Sequence, residues 1–89
     1  MSVRAYILLD IVDGKSEQVT RLLRDMRGVV ISDCLDGQPN VLVLVEASDR
    51  MKLAELLMPV LTAIENVTED LRLLVSRHST IPAAIFSAN

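Results

Sequence analysis

The stretch Val3-Arg4-Ala5-Tyr6-Ile7-Leu8-Leu9-Asp10-Ile11-Val12 decides how this chain folds. Side chains of an extended strand alternate between faces, so Val3, Ala5, Ile7, Leu9 and Ile11 share one side and Tyr6, Leu8 and Val12 the other. Both sides are apolar. The segment 41–47 repeats the pattern, with Val41, Val43 and Val45 opposed to Leu42 and Leu44. A sheet that buries only one face should alternate apolar with polar residues, and these strands do not. The chain has 89 residues and helical periodicity for two helices, enough to cover one face. The second face therefore predicts a partner, most simply another copy of the same chain.

Working outward, Asp13-Gly14 marks a turn, and Val19, Leu22, Leu23 and Met26 form the i, i+3, i+4, i+7 stripe of a helix over about 15–26, stopped at Gly28. A second strand is expected over 29–35, and Asp36-Gly37-Gln38-Pro39-Asn40 connects it as a hairpin to the third at 41–47. Ser48-Asp49 caps a second helix over 50–64, buried through Leu53, Leu56, Leu57, Val60, Leu61 and Ile64. Pro59 inside it is expected to kink the last turn. A fourth strand is expected over 67–76, with Leu71, Leu73 and Val75 facing one way and Arg72 and Leu74 the other.

The order β-α-β-β-α-β with short connections predicts an α+β, ferredoxin-like split βαβ fold: a four-stranded antiparallel sheet with both helices on one face. The open face is then expected to hold Tyr6, Leu8, Leu42, Leu44 and Leu74, and burying it face to face gives a dimeric α+β barrel-type association. We divide the chain into one domain, residues 1–78, and a tail, 79–89. Ile81, Ile85 and Phe86 make that tail apolar enough to add an edge strand to a neighbour.

Composition narrows the function. The net charge is −3, and the nine Lys and Arg are scattered, which argues against direct duplex nucleic-acid binding. No signal-peptide pattern or long apolar run is present, so neither export nor membrane insertion is expected. A single cysteine, Cys34, suits a reducing cytoplasm. One Tyr and one Phe leave no platform for stacking bases or flavins.

No motif for enzyme chemistry stands out. Gly28 and Gly37 do not form a phosphate-binding loop. Cys34 and His78 are the only soft ligands, too few for a metal site, and no cofactor is expected. Cys34 reads as a packed small hydrophobe and His78 as a solvated chain-end residue. Asp10 and Arg72 are charges on apolar strands; they either pair across the open face and orient a ligand or stay wet near the strand ends. The loop 36–40 either holds a small polar ligand on free backbone N–H groups or is a plain hairpin loop.

Several stretches together resemble one family. Ala5-Tyr6-Ile7-Leu8-Leu9 followed by Asp13-Gly14-Lys15 resembles the first strand and Gly-Lys helix start of the effector-binding and oligomerisation (RAM) domain of the leucine-responsive regulator/AsnC (Lrp/AsnC) family. Met26-Arg27-Gly28-Val29, the loop and strand 36–47, Ile64-Glu65-Asn66-Val67, and Arg77-His78-Ser79-Thr80-Ile81-Pro82 continue the likeness over about residues 3–83. The resemblance implies a stand-alone form of that domain, dimeric through its sheet face and able to build octamers. It implies an amino-acid-like effector bound at Gly37, Asn40, Ser79 and Thr80. The chain departs from the pattern at Pro39, where the family often has Tyr, and at Asn40, where it usually has Asp. An Asp would hold a ligand ammonium by charge, whereas Asn only hydrogen-bonds it, a difference of about 1–2 kcal/mol.

The residues before the first strand do not resemble the family's DNA-reading helix-turn-helix; were the 89 residues the complete protein, any action on transcription would be expected to pass through a DNA-binding relative. Two other classes share the β-α-β-β-α-β order: NapD-like signal-peptide-binding chaperones and small dimeric α+β-barrel enzymes. The latter place polar or aromatic groups between sheet and helices, where this chain supplies aliphatics.

Overall fold

The computed structural model describes residues 2–76. Within them the chain runs β1 (Val3–Ile11), α1 (Ser16–Arg24), β2 (Val29–Cys34), β3 (Val41–Ala47), α2 (Arg50–Ile64) and β4 (Thr68–Ser76). The four strands form one antiparallel sheet in the order β2-β3-β1-β4. This is the expected split βαβ arrangement. The tail after residue 78, with Ser79 and Thr80, lies outside the described residues, as does His78.

Strand parity sorts the side chains as the alternation requires. Ala5, Ile7, Leu9 and Ile11 of β1 and Val41, Val43 and Val45 of β3 are essentially inaccessible, and they join Val19, Leu23, Leu53, Leu57, Val60 and Ile64 of the helices in one core. Both helices therefore lie on the same face. α1 is tied down by polar bonds as well as by packing. The buried Ser32 hydroxyl donates to the Thr20 carbonyl (2.9 Å), and Arg24 Nη2 donates to the Ser32 carbonyl (2.8 Å).

The helices start and end differently. Asp49 accepts the Lys52 N–H at 2.8 Å, which caps α2 as its sequence predicts. α1 has no side-chain cap: Lys15 takes that position, and the helix ends at Arg24, short of the expected residue 26. α2 continues through Pro59 to Ile64 as one helix. The exposed Pro59 has no N–H to give the Glu55 carbonyl, and on the solvent side water can serve that group.

Coverage of the sheet is uneven. The helices pack mainly on β2, β3 and β1, and β4 is an edge strand with little helix cover. Leu71 and Leu73 face the helix side opposite Leu9 and Ile7, yet both are about 40% exposed. Leu74 and Val75 are exposed too. On the open face the correction runs the other way. Tyr6, flanked by Leu44 and Leu74 on the neighbouring strands, is only 9% exposed, and Leu44 only 4%. The expectation of a wholly bare second face is thus too simple, because its centre is already closed within one chain.

Gly28, between α1 and β2, has φ +87°, and a Cβ placed there would lie 2.7 Å from Leu56 Cδ1 of α2. Gly37 has a similar φ of +95° with open space around it. Both Ala substitutions carry the left-handed backbone cost of roughly 1–2 kcal/mol, and Gly28→Ala adds a clash. Urea denaturation should show a larger stability loss for Gly28→Ala than for Gly37→Ala. Equal losses would mean that Leu56 yields freely.

Candidate functional site

The hairpin loop between β2 and β3 is fastened to the centre of the sheet by one residue. The Leu35 N–H donates to the Asn40 carbonyl (2.7 Å), and the Asn40 N–H donates to the Leu9 carbonyl (2.9 Å). The Asn40 side chain then extends the ladder: its Oδ1 accepts the Ile11 N–H at 2.8 Å, and its Nδ2 donates to the Ile11 carbonyl at 2.9 Å. A carboxamide offers one acceptor and one donor side by side, which is what a strand backbone presents. A carboxylate would satisfy the N–H and repel the carbonyl. The departure from Asp at this position thus has a structural cause, and the amide that the family resemblance assigns to a ligand is occupied by β1.

Beside this loop, β1 meets β4 with Asp10 directly opposite Asp70 and Leu8 opposite Arg72, and the pairing shifts register between Asp10 and Ile11. Leu8, Asp10, Gln38, Pro39, Asp70 and Arg72 line a cavity of about 290 Å³ on the open face. Two carboxylates and one guanidinium converge there. Among the described residues Asp10 and Arg72 do not form the ion pair that was one reading of the sequence, nor is Asp70 paired. Gly37 is exposed at the tip of the loop, where its backbone conformation accounts for the glycine.

The other end of the open face is also charged. Arg4 Nε lies 2.7 Å from Glu46 Oε2, across the β1–β3 pair, and the Ser2 hydroxyl approaches the same oxygen at 3.4 Å. The Glu46 carboxylate is the main cause raising the Arg4 guanidinium above its ordinary range; burial opposes it, and the Tyr6 hydroxyl adds to it. Among the described residues, the buried Arg4 Nη1 and Tyr6 hydroxyl have no hydrogen-bond partner of good geometry, although the hydroxyl lies close enough to act on the guanidinium. Buried polar groups are rarely left unmatched, so each such atom asks for an explanation.

Sequence reasoning placed Tyr6, Leu8, Leu42, Leu44 and Leu74 on one face, and the strand register puts them there together. It included Gln38 and Pro39 only as part of the loop 36–40 and passed over Arg4, Glu46 and Asp70. Arg4 and Glu46 carried a readable signal, being at even spacing from Tyr6 and Leu44. Asp70 carried none, since its place opposite Asp10 depends on a long-range register. Cys34 corrects an expectation: it is exposed, with Thr20 Oγ1 at 3.6 Å from its sulfur, and is not packed as a small hydrophobe. Among the described residues no three His, Cys, Asp or Glu side chains are placed to hold a metal ion, and no helix is long and apolar enough to cross a membrane.

No family model and no curated protein matches the sequence. Solved structures do match the fold, and they include proteins of the Lrp/AsnC family. PH0061 aligns with a TM-score of 0.75 and 20% identity over 91% of this chain and 55% of its own. AsnC of E. coli aligns with a TM-score of 0.64 and 13% identity, covering 90% of this chain and 54% of its own. The transcriptional regulator NMB0573 of Neisseria meningitidis, solved in complex with L-Met, aligns with a TM-score of 0.65 and 13% identity over 90% of this chain and 53% of its own. This chain spans about half the length of each of these proteins. At such identities the likeness establishes the shared fold.

Removing the amide of Asn40 strands two backbone groups of Ile11. Asn40→Ala should cost about 1–3 kcal/mol, which for a domain of this size lowers the melting temperature by several degrees. Asn40→Asp should lose as much near neutral pH and recover part of it at about pH 3, where a protonated Asp regains a donor. Scanning calorimetry at both pH values checks this; an unchanged melting temperature for Asn40→Ala would show that water replaces the amide without cost.

Proposed function

We propose that this chain is a non-catalytic module that self-assembles through its open sheet face and binds an amino-acid-like effector, in the manner of the regulators whose fold it shares. The observation that carries the reading is the composition of that face. A central apolar stripe of Tyr6, Leu8, Leu42, Leu44 and Leu74 is bounded at one end by Arg4 and Glu46 and at the other by a cavity with charges of both signs. The apolar stripe suits a second copy of the chain, giving a homodimer that can build toward an octamer. The cavity beside the hairpin loop suits a small zwitterion, with a carboxylate for its ammonium and Arg72 for its carboxylate.

Gly37, Ser79 and Thr80 enter this reading as further effector contacts on the strength of the family resemblance. Asn40 acts mainly by fixing the loop. The absence of a catalytic or cofactor-binding constellation from this reading fits a sensing role in the cytoplasm. Transcriptional output, on this view, passes through a DNA-binding relative with which the module co-assembles, without direct nucleic-acid contact. The bound L-Met of NMB0573 supports the choice of ligand class.

A thermal-shift screen of the twenty amino acids at millimolar concentration tests the effector half. A ligand at one hundred times its dissociation constant stabilises the folded state by about 2.7 kcal/mol, a shift on the order of 10 °C for a domain of this size. At least one amino acid should give such a shift, and Arg72→Gln and Thr80→Ala should each reduce it. A flat screen would refute effector binding of this class.

A further inference from the structure

The helix side of β4 is a second apolar surface, on the opposite face of the sheet from the proposed assembly. Leu71, Leu73 and Val75 alternate along this edge strand, opposite Leu9, Ile7 and Ala5 of β1. Those three β1 residues are fully buried, whereas their β4 neighbours are 40, 39 and 47% exposed. α2 runs beside them without closing the gap. Between the two elements lies a groove of about 510 Å³, lined by Met58, Leu61, Ile64 and Leu71 together with the exposed Glu65 and Glu69. The solvent side of α2 carries the apolar surface onward through Ala54, Met58 and Ala63, all exposed. A helix apolar on most of its sides is ordinarily covered, and a contiguous apolar patch on a small domain marks a contact surface.

We propose that this groove is the docking site of the chain's own C-terminal segment, residues 81–86, which folds back along β4 and seats Phe86 against Met58, Leu61 and Leu71. The segment Ile81-Pro82-Ala83-Ala84-Ile85-Phe86 carries no charge, which suits an apolar wall. The other face of β4 suits it less, because Asp70 and Arg72 stand there beside Leu74. The reach is sufficient. Residues 77–80 lie between β4 and the segment, and four residues are the length of one reversing turn. From Val75 back to Leu71 is about 13 Å of strand, and six extended residues span that distance with room to spare.

Tethering decides between this segment and another molecule. A short linker holds its end at an effective concentration of roughly millimolar, well above that of a second chain at micromolar concentration. Pro82 has no N–H to give a strand ladder, so the segment acts as a cover over the side chains of β4. Such a cover is one of the ways in which edge strands are kept from pairing with other chains, and it leaves the open face free.

Phe86 is the single phenylalanine, so its ring reports directly on the docking. Nuclear Overhauser spectra of the uniformly labelled full chain should show contacts from this ring to the methyl groups of Met58 and Leu71. In a half-labelled mixture these contacts should vanish from the isotope-filtered spectrum, because they arise within one chain. Met58→Lys changes an exposed helical position to a residue that helices accept readily. It should release the segment, moving the amides of residues 81–86 to random-coil shifts while those of β1 and β3 stay in place. Met58→Lys and Phe86→Ser should each lower the melting temperature by a few degrees, and the double variant should fall no further than the lower single. Random-coil shifts for residues 81–86 in the wild type overturn the proposal. So do Phe86 contacts that appear only between chains, which would assign the segment to a neighbour, and so do additive losses in the double variant.

Discussion

The residue-for-residue pairing of β1 with β3, from Val3 opposite Ala47 to Leu9 opposite Val41, is the constraint on which the molecule depends. A slip of one residue would send Ala5, Ile7 and Leu9 to the open side and bring Arg4 and Asp10 into the aliphatic core. Asn40 guards that register. Its backbone bonds to β1 through Leu9 and its side chain through Ile11, so hairpin closure and strand placement are one event. The same pairing fixes which charges stand at which end of the open face, so the layout of that face is a direct consequence of the core.

Much of this was legible in the chain itself. Two-residue alternation located β1 and β3 and sorted their faces, and the bounds of β3 and α2 coincide with the expected ones. The capping Asp49 could be read because a cap acts within three residues. What escaped is non-local. The register shift after Asp10, the placement of Asp70 opposite it and the bareness of β4 depend on how segments far apart in sequence meet. The resemblance suggested a ligand contact at Asn40, and only the structure shows its amide continuing the backbone ladder of the sheet through Ile11.

The open face joins these physical facts to function. Its centre is closed within one chain at Tyr6 and Leu44, while its rim keeps the exposed Leu74 and the charged Asp10, Asp70 and Arg72, which form no ion pair with one another among the described residues. In the proposed assembly a second copy covers the apolar part of that face, and the proposed effector cavity lies at its rim.

The most direct test of this account is an isotope-filtered NOE experiment on a mixed sample, half of the chains labelled and half not, which reports only contacts between copies. The chain has a single tyrosine, so its ring signals are unambiguous. The account predicts intermolecular cross-peaks between the Tyr6 ring and leucine methyl groups on the open face of the partner chain. Intermolecular contacts confined to the exposed helix-side residues of β4, such as Leu73, would contradict it.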